Sequence, residues 1–544
     1  MKTISKYTLV LTMLAFCSCN YLDYDETSGF SKDEMFVYFS RTKKMLTNVY
    51  GYLPKDFGNV GNAMLSAATD DADYAWTTSA IHQFGDGSWS AINTLDDQWA
   101  QLYKGIRAAN LFLESYQPDF PNSEWNDKYE DEMSAYVYYP YEARFLRAFF
   151  HFELAKRYNN VPLLTRTYSP SEVNTVEPSS FDQIVSFIVS ECDEIAPELP
   201  LNYQNVYGSE TGRITRGAVL ALKSRVLLYA ASKLHNPDND LEKWHAAASA
   251  AKEVIDLNVY RLVPDESPVN NLSSQELILE RREANSNTFE SLNFPIGYEG
   301  GNSGNTPTQN LVDAFDIDGK PFDWNNSDHV NNIYNTNRRD PRLFATVLYN
   351  GAMWKGVPVE CFEGGRNGLP LEGASRTSYY LRKYVQEEVN FADGQTTTAP
   401  HNWVLFRYAE VLLNYAEALY EYSGEQTFTS DEFPLSPLAA VNQIRTRAGV
   451  PALNVTNDFT DRLRNERRVE LAFEDHRFWD IRRWMIGPST REIYGVNVIY
   501  DGSNVRYERK LVTTRVWEDK MYFYPIAQTE RYNNRNLIQN IGWN

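Results

Sequence analysis

The feature that most constrains this chain is an apolar spacing of three and four residues that returns in many separate stretches. Phe145, Phe149 and Phe152 fall at i, i+4 and i+7. Val219, Leu222, Val226 and Tyr229 repeat the pattern, as do Trp244, Ala247, Ala251 and Val254, and the run from Phe406 to Leu419 is helical too. A period near 3.6 gathers these side chains on one stripe of a helix, and that stripe has to be buried. The helices come in pairs with small residues where they meet. Ala218, Ala221 and Ala230 precede a second helix rich in Ala247, Ala248 and Ala251; Ala409, Ala416 and Ala418 precede Ala439, Ala440 and Ala448.

Such pairs are similar to tetratricopeptide-like helical hairpins, although their spacing is too irregular for a clean array. Residues 53–95 and 265–400 interrupt them with Gly, Asn, Asp, Ser and Pro, and with short β-prone pieces such as Tyr379 to Val385. The expected fold is therefore mainly α: helical hairpins forming a scaffold, with long loop-rich insertions and a few short strands. The main composition shift lies near residue 265, which divides the chain after residue 18 into regions 19–264 and 265–544. Long loops in a compact protein usually carry function. Trp99, Trp244, Trp479 and Trp484 fall on helical stripes and are expected in the core.

The first residues read as a secretory leader, 1–18. Lys2 and Lys6 precede an apolar run, Leu9 to Phe16, too short to span a bilayer. Leu14 to Cys19 resembles a bacterial lipobox, with small Ser18 before Cys19, so Cys19 is the expected site of lipidation and anchors the chain to a membrane without crossing it. Cys192 and Cys361 allow one disulfide but no disulfide framework.

Formal charge is −20, which disfavours nucleic acid and polyanions as partners. Aromatic residues reach 14%, with 36 Tyr, in keeping with a surface that stacks on flat apolar faces such as those of sugar rings. The seven histidines are scattered without paired helical spacing, and neither Asp238–Asp240 nor Asp316–Gly319 completes a calcium loop, so caps and turns account for both; no metal or cofactor is expected. No nucleophile elbow is present. Glu466, Glu470 and Glu474 repeat at i, i+4 and i+8 among Arg467, Arg477, Asp480 and Arg482. They read as an ion-paired structural helix rather than an acid/base site, with Val469, Phe473, His476 and Trp479 as its packing face.

Several segments together resemble the SusD/RagB family of surface glycan-binding lipoproteins. Cys19-Asn20-Tyr21-Leu22-Asp23 is similar to the family's opening. EARFLRAFFHFELAKRYNNVPLL (142–164), GRITRGAVLALKSRVLLYAA (212–231), TPTQNLVDAF (306–315), RDPRLFATVLYNG (339–351), LFRYAEVLLNYAEAL (405–419), AVNQIRTRAGVP (440–451) and RNERRVELAFEDHRFWDIRRW (464–484) follow in family order. The ending YPIAQTERYNNRNLIQNIGW (524–543) departs from the family at Ala527 and Ile541, where prolines are usual. The resemblance implies four tetratricopeptide-like units, no catalysis, an outer-membrane location, and a SusC-like TonB-dependent transporter on which the lipoprotein sits as a lid. A peptide-binding member of the family and, further off, a glycoside hydrolase are the alternatives.

The resemblance also implies that ligand contacts come from loops of both halves. Asp71, Tyr74 and Trp76 mix a carboxylate with aromatics in a polar loop. Trp89 follows in a Gly/Asp/Ser turn. Tyr298 precedes a Gly/Asn/Ser run; Trp324 and Trp354 complete the candidates. Carboxylates accept hydrogen bonds from sugar hydroxyls, and indole faces stack on the C–H side of a sugar ring.

Overall fold

The computed structural model describes residues 32–119, 126–264, 269, 271–500 and 504–543. The leader and Cys19 lie outside the described residues. The protein is mainly helical, as expected. Besides Phe39–Tyr50, its long helices are α1 (Trp99–Ser115), α2 (Tyr139–Tyr158), α3 (Phe181–Ile195), α4 (Arg216–Ala231), α5 (Leu241–Asp256), α6 (Tyr408–Ser423), α7 (Pro437–Arg447) and α8 (Phe459–Glu470).

Their starts follow from local chemistry. Ser180 opens α3 with a reciprocal capping box to Gln183, Thr215 accepts from the Ala218 N–H at α4, and Asp240 accepts from the Glu242 N–H at α5. Pro437 sits in the first turn of α7, and α6 ends at Gly424 with φ 71°.

Consecutive helices pack from α1 to α5. The alanines of α4 and α5 are buried against each other as their spacing required. The chain then leaves for residues 257–407 and returns to the same stack: α6 packs on α5, and α7 on α6. Hairpins distant in sequence are thus neighbours in space, and one hydrophobic core runs through both. The strands form two-stranded antiparallel ribbons. Leu277–Ser286 pairs with Ala399–Arg407, Glu492–Tyr500 with Val505–Thr514, and Ala72–Tyr74 with Asn305–Pro307. Isolated ribbons are marginal in water, so the helical scaffold has to hold them.

Trp99, Trp244, Trp479 and Trp484 are all buried. Cys192 and Cys361, which the sequence left open as one disulfide, are both buried free thiols. One expectation needs correction. The segment 464–484 is not one helix: α8 stops at Glu470, Phe473 and Asp475 take φ of 61°, and a new helix, α9 (Arg477–Arg483), begins. Arg407 explains the break. Its guanidinium donates to the Glu470 carbonyl at 2.7 Å, supplying the helix end with a partner, and to both oxygens of Glu474 just beyond.

The ion-paired reading of this segment holds, but with partners from elsewhere. Arg342 and Arg445 reach Glu466; Arg342, Arg407 and Arg447 reach Glu470; Arg407 and Lys383 reach Glu474. The possible calcium ligands are similarly engaged. Asp240 caps α5, Asn239 accepts from the Trp244 indole, Asp316 binds Arg445 and Arg462, and Asp318 binds Arg338.

Candidate functional site

The short ribbon between Ala72–Tyr74 and Asn305–Pro307 joins the two loop regions. Tyr74 pairs with Asn305, and the Ala75 N–H donates to the Gly304 carbonyl at 2.9 Å. The next residue, Trp76, is half-buried. Its indole N–H donates to the Asn302 carbonyl at 2.7 Å, while the Asn302 amide donates to the Ser291 carbonyl. A third segment closes on the indole at Gly373, which has φ 78°. A Cβ there would lie 2.8 Å from a ring carbon of Trp76, so this close approach needs glycine.

Tyr298 sits on the same loop as Asn302. Its hydroxyl donates to the Val357 carbonyl at 3.2 Å, and the Arg366 guanidinium lies 5.5 Å over its ring. Burial raises its phenol pKa despite Arg366. Asn367 donates to the Ile296 carbonyl, fastening the loop from the other side. Around Tyr298 and Gly373 lie large side chains open to water: Met353 is 57% exposed, and Val357, Leu369 and Leu371 are exposed too. Trp76 and Tyr298 thus belong to one loop cluster, joined through the Asn302 loop.

The other candidates fall differently. Asp71 is 0% exposed and ion-paired to Arg468 at 2.6 Å. Burial raises its pKa, opposed by Arg468. Its neighbour Asp70 binds Arg477 and Arg468; burial pushes that carboxyl up, but the two guanidiniums outweigh it and hold it at about 2. Asp73 binds Arg376 at 2.6 Å. Asp70 and Asp71 therefore clamp the loop to α8 and α9. Tyr74 is buried in the ribbon, with its phenol pushed up to about 12 by burial. Trp89 is 2% exposed, boxed in by Phe84, Tyr524 and Trp543 at 4.9, 5.5 and 4.5 Å. Trp354 is 1% exposed and packs edge-on to Phe294 at 5.6 Å. In this structure these four side chains are buried. Polar, flexible composition predicts a loop, but a loop turns its large aromatics inward when a core is within reach.

Trp324 is half-buried in a separate neighbourhood. Its N–H donates to Asp313 at 2.9 Å and its ring meets Phe322 edge-on at 5.5 Å. Burial raises the Asp313 carboxyl pKa. The indole is accessible, but its partners are not those of Trp76.

Residues 275–543 match the SusD family, and residues 20–228 match a family described as starch-binding and associating with the outer membrane. The chain belongs to the SusD/RagB family. Among solved structures, this SusD-family chain is similar to a SusD-like protein of Bacteroides fragilis at 27% identity and TM-score 0.78, covering 94% of this chain and 98% of that one. A SusD-like carbohydrate-binding protein of the same species matches at 26% identity and TM-score 0.73, over 93% and 100%. A SusD-like protein of Formosa agariphila is 25% identical over 413 residues, 71% of each chain. The mainly helical fold with scattered short strands is thus that of SusD-like proteins.

Sequence reasoning on this SusD-family chain reached Asn302 only as part of the Gly/Asn/Ser run after Tyr298, and missed Arg366, Gly373 and the exposed apolar residues beside them. A Leu-Pro-Leu run, 369–371, inside a Gly-rich stretch was the one available signal.

Proposed function

We propose that this protein is an outer-membrane surface lipoprotein, anchored through Cys19, that binds a glycan at the Trp76–Tyr298 loop cluster and passes it to a SusC-like TonB-dependent transporter. The observation that carries the binding site is the Trp76 indole, fixed by Asn302 and Gly373 where loops of both halves meet, beside Tyr298 and exposed apolar side chains. A rigid aromatic flanked by hydrogen-bonding groups suits a sugar ring. Trp324 supplies a second, separate aromatic contact for a longer chain. The family relationship, and the carbohydrate binding named for the Bacteroides fragilis relative, support a glycan as the ligand. The protein holds its ligand and breaks no bond: Asp70, Asp71 and Asp73, which precede Trp76 in the loop, are committed to arginines.

Affinity electrophoresis of the purified protein through gels containing individual polysaccharides tests this reading. Retardation by a polysaccharide is expected, with reduced retardation for Trp76→Ala and Tyr298→Ala and no release of reducing ends. Binding to a peptide mixture with no retardation by any polysaccharide would replace the glycan by a peptide. Recovery of a large TonB-dependent receptor with the tagged protein in mild detergent is expected, and its absence across several detergents counts against the lid role. Cys19→Ala should leave the membrane fraction; a variant still membrane-bound in cells lacking the transporter contradicts the anchor.

A further inference from the structure

A cavity of about 370 Å3 lies on the helical half, between α1, the segment that follows α2 and the C-terminal residues. Its size falls within the roughly 300–1,000 Å3 of small-molecule sites. Trp99, Tyr103, Ile106 and Leu164 give it an apolar and aromatic wall, and none of these belongs to the Trp76–Tyr298 cluster.

The polar groups around this wall have open bonding capacity. Glu530, half-buried, has no hydrogen bond or ion pair through its carboxylate among the described residues, and burial raises its pKa, with Asp97 adding to the rise. Lys104 and Arg107 stand one helical turn apart on α1, without a carboxylate partner among the described residues; Arg107 makes a long contact, 3.4 Å, to the Tyr168 carbonyl. The Tyr103 hydroxyl donates to the Pro162 carbonyl at 2.9 Å, which leaves its oxygen free to accept. In a chain with 72 carboxylates for 52 basic side chains, unpaired groups of both signs around one aromatic wall are a specific arrangement. Arg166 also lines the cavity but pairs with Glu172, so Lys104 and Arg107 remain as donors and Glu530 as the one carboxylate acceptor of the lining.

We infer that this cavity is a second saccharide site, taking one or two sugar rings. The aromatic wall meets the C–H face of a ring, while Glu530 accepts from hydroxyls and Lys104 and Arg107 donate to them. The site goes beyond the loop cluster and stands independently of it. A polysaccharide held at the loops and at this cavity would be gripped at two points, which raises avidity without any new contact at either.

Saturation-transfer-difference NMR on the purified full-length protein tests this, with the methyl glycosides of glucose, galactose, mannose and xylose as probes and 1-hexanol as an apolar control. At least one glycoside should give signals that persist in Trp76→Ala. Those signals should fall by at least half in Asn533→Trp, which blocks the mouth from an exposed position, and in Glu530→Gln, which keeps the shape and removes the charge. Melting temperatures equal to wild type confirm that both variants are folded. Signals from hexanol alone overturn the inference, as do glycoside signals unchanged by Asn533→Trp and Glu530→Gln. Glycoside signals abolished by Trp76→Ala place the sugar at the loops and remove the second site while leaving the loop site standing.

Discussion

Gly373→Ala separates the position of the Trp76 indole from its presence. The new methyl carbon would start 2.8 Å from the indole ring at a backbone φ of 78°. Ordinary carbon–carbon contact lies at about 3.5–4.0 Å, so the ring and the 373 loop have to separate by roughly 0.7 Å or more. The left-handed backbone adds about 1–2 kcal/mol for a residue with a Cβ. A ring stacked on sugar tolerates little displacement. An affinity loss of about 1–2 kcal/mol, roughly five- to thirtyfold, is therefore expected, close to that of Trp76→Ala, on the scale of about 1–3 kcal/mol for an aromatic platform. Isothermal titration with the glycan selected by affinity electrophoresis measures it, and differential scanning fluorimetry measures the accompanying destabilisation. If Gly373→Ala melts lower but binds like wild type, the indole does not touch the ligand and the site is misplaced.

Further outcomes follow from the same geometry. Arg407→Ala strips the shared cation from Glu276, Glu470 and Glu474; a loss of about 3–5 kcal/mol is expected in urea denaturation, and a loss below about 1 kcal/mol would show that the network is redundant. Asp475 is raised to about 6 by burial, so its neutral form favours the fold at low pH and that contribution is lost as pH rises through 6. Asp475→Asn should be more stable than wild type well above pH 6, with the gap closing toward pH 4; a gap that widens on acidification reverses the assignment. Glu153 and Glu417, held at about 2 by their cations against the pull of burial, act oppositely: their stability is present above about 4.5 and disappears as pH falls toward 2, readable as a falling melting temperature. Cys192 and Cys361 are buried and their thiol pKa values are pushed up, so a thiol reagent should modify them only after denaturation.

The helical scaffold was legible because its rule is local. Burial of a stripe every 3.6 residues is written into Phe145, Phe149 and Phe152, and the alanine runs named the hairpin contacts. The return of α6 onto α5 was not legible, since nothing in either helix specifies a partner so far along the chain. The loops were harder still. Trp76 and Trp89 look alike in sequence, each beside Asp and small residues, yet one is half open and the other is sealed by Trp543 from the last residues of the chain. The Asp70–Asp73 run looked like a ligand surface because carboxylates in polar loops usually face water. Only the positions of Arg376, Arg468 and Arg477 reveal a clamp.

That clamp bears on how the chain reaches its fold. Asp70 and Arg477 are 407 residues apart, so two buried carboxylates near the start have no counter-charge until almost all of the polypeptide is available. Closing so wide a loop comes before its reward, which makes folding slow and late. A chain stopped before residue 468 retains the Asp70–Asp71 loop without Arg468 or Arg477 to neutralise it. C-terminal truncations should therefore behave as all-or-none losses, cleared by proteases as unfolded protein rather than persisting as shortened binders.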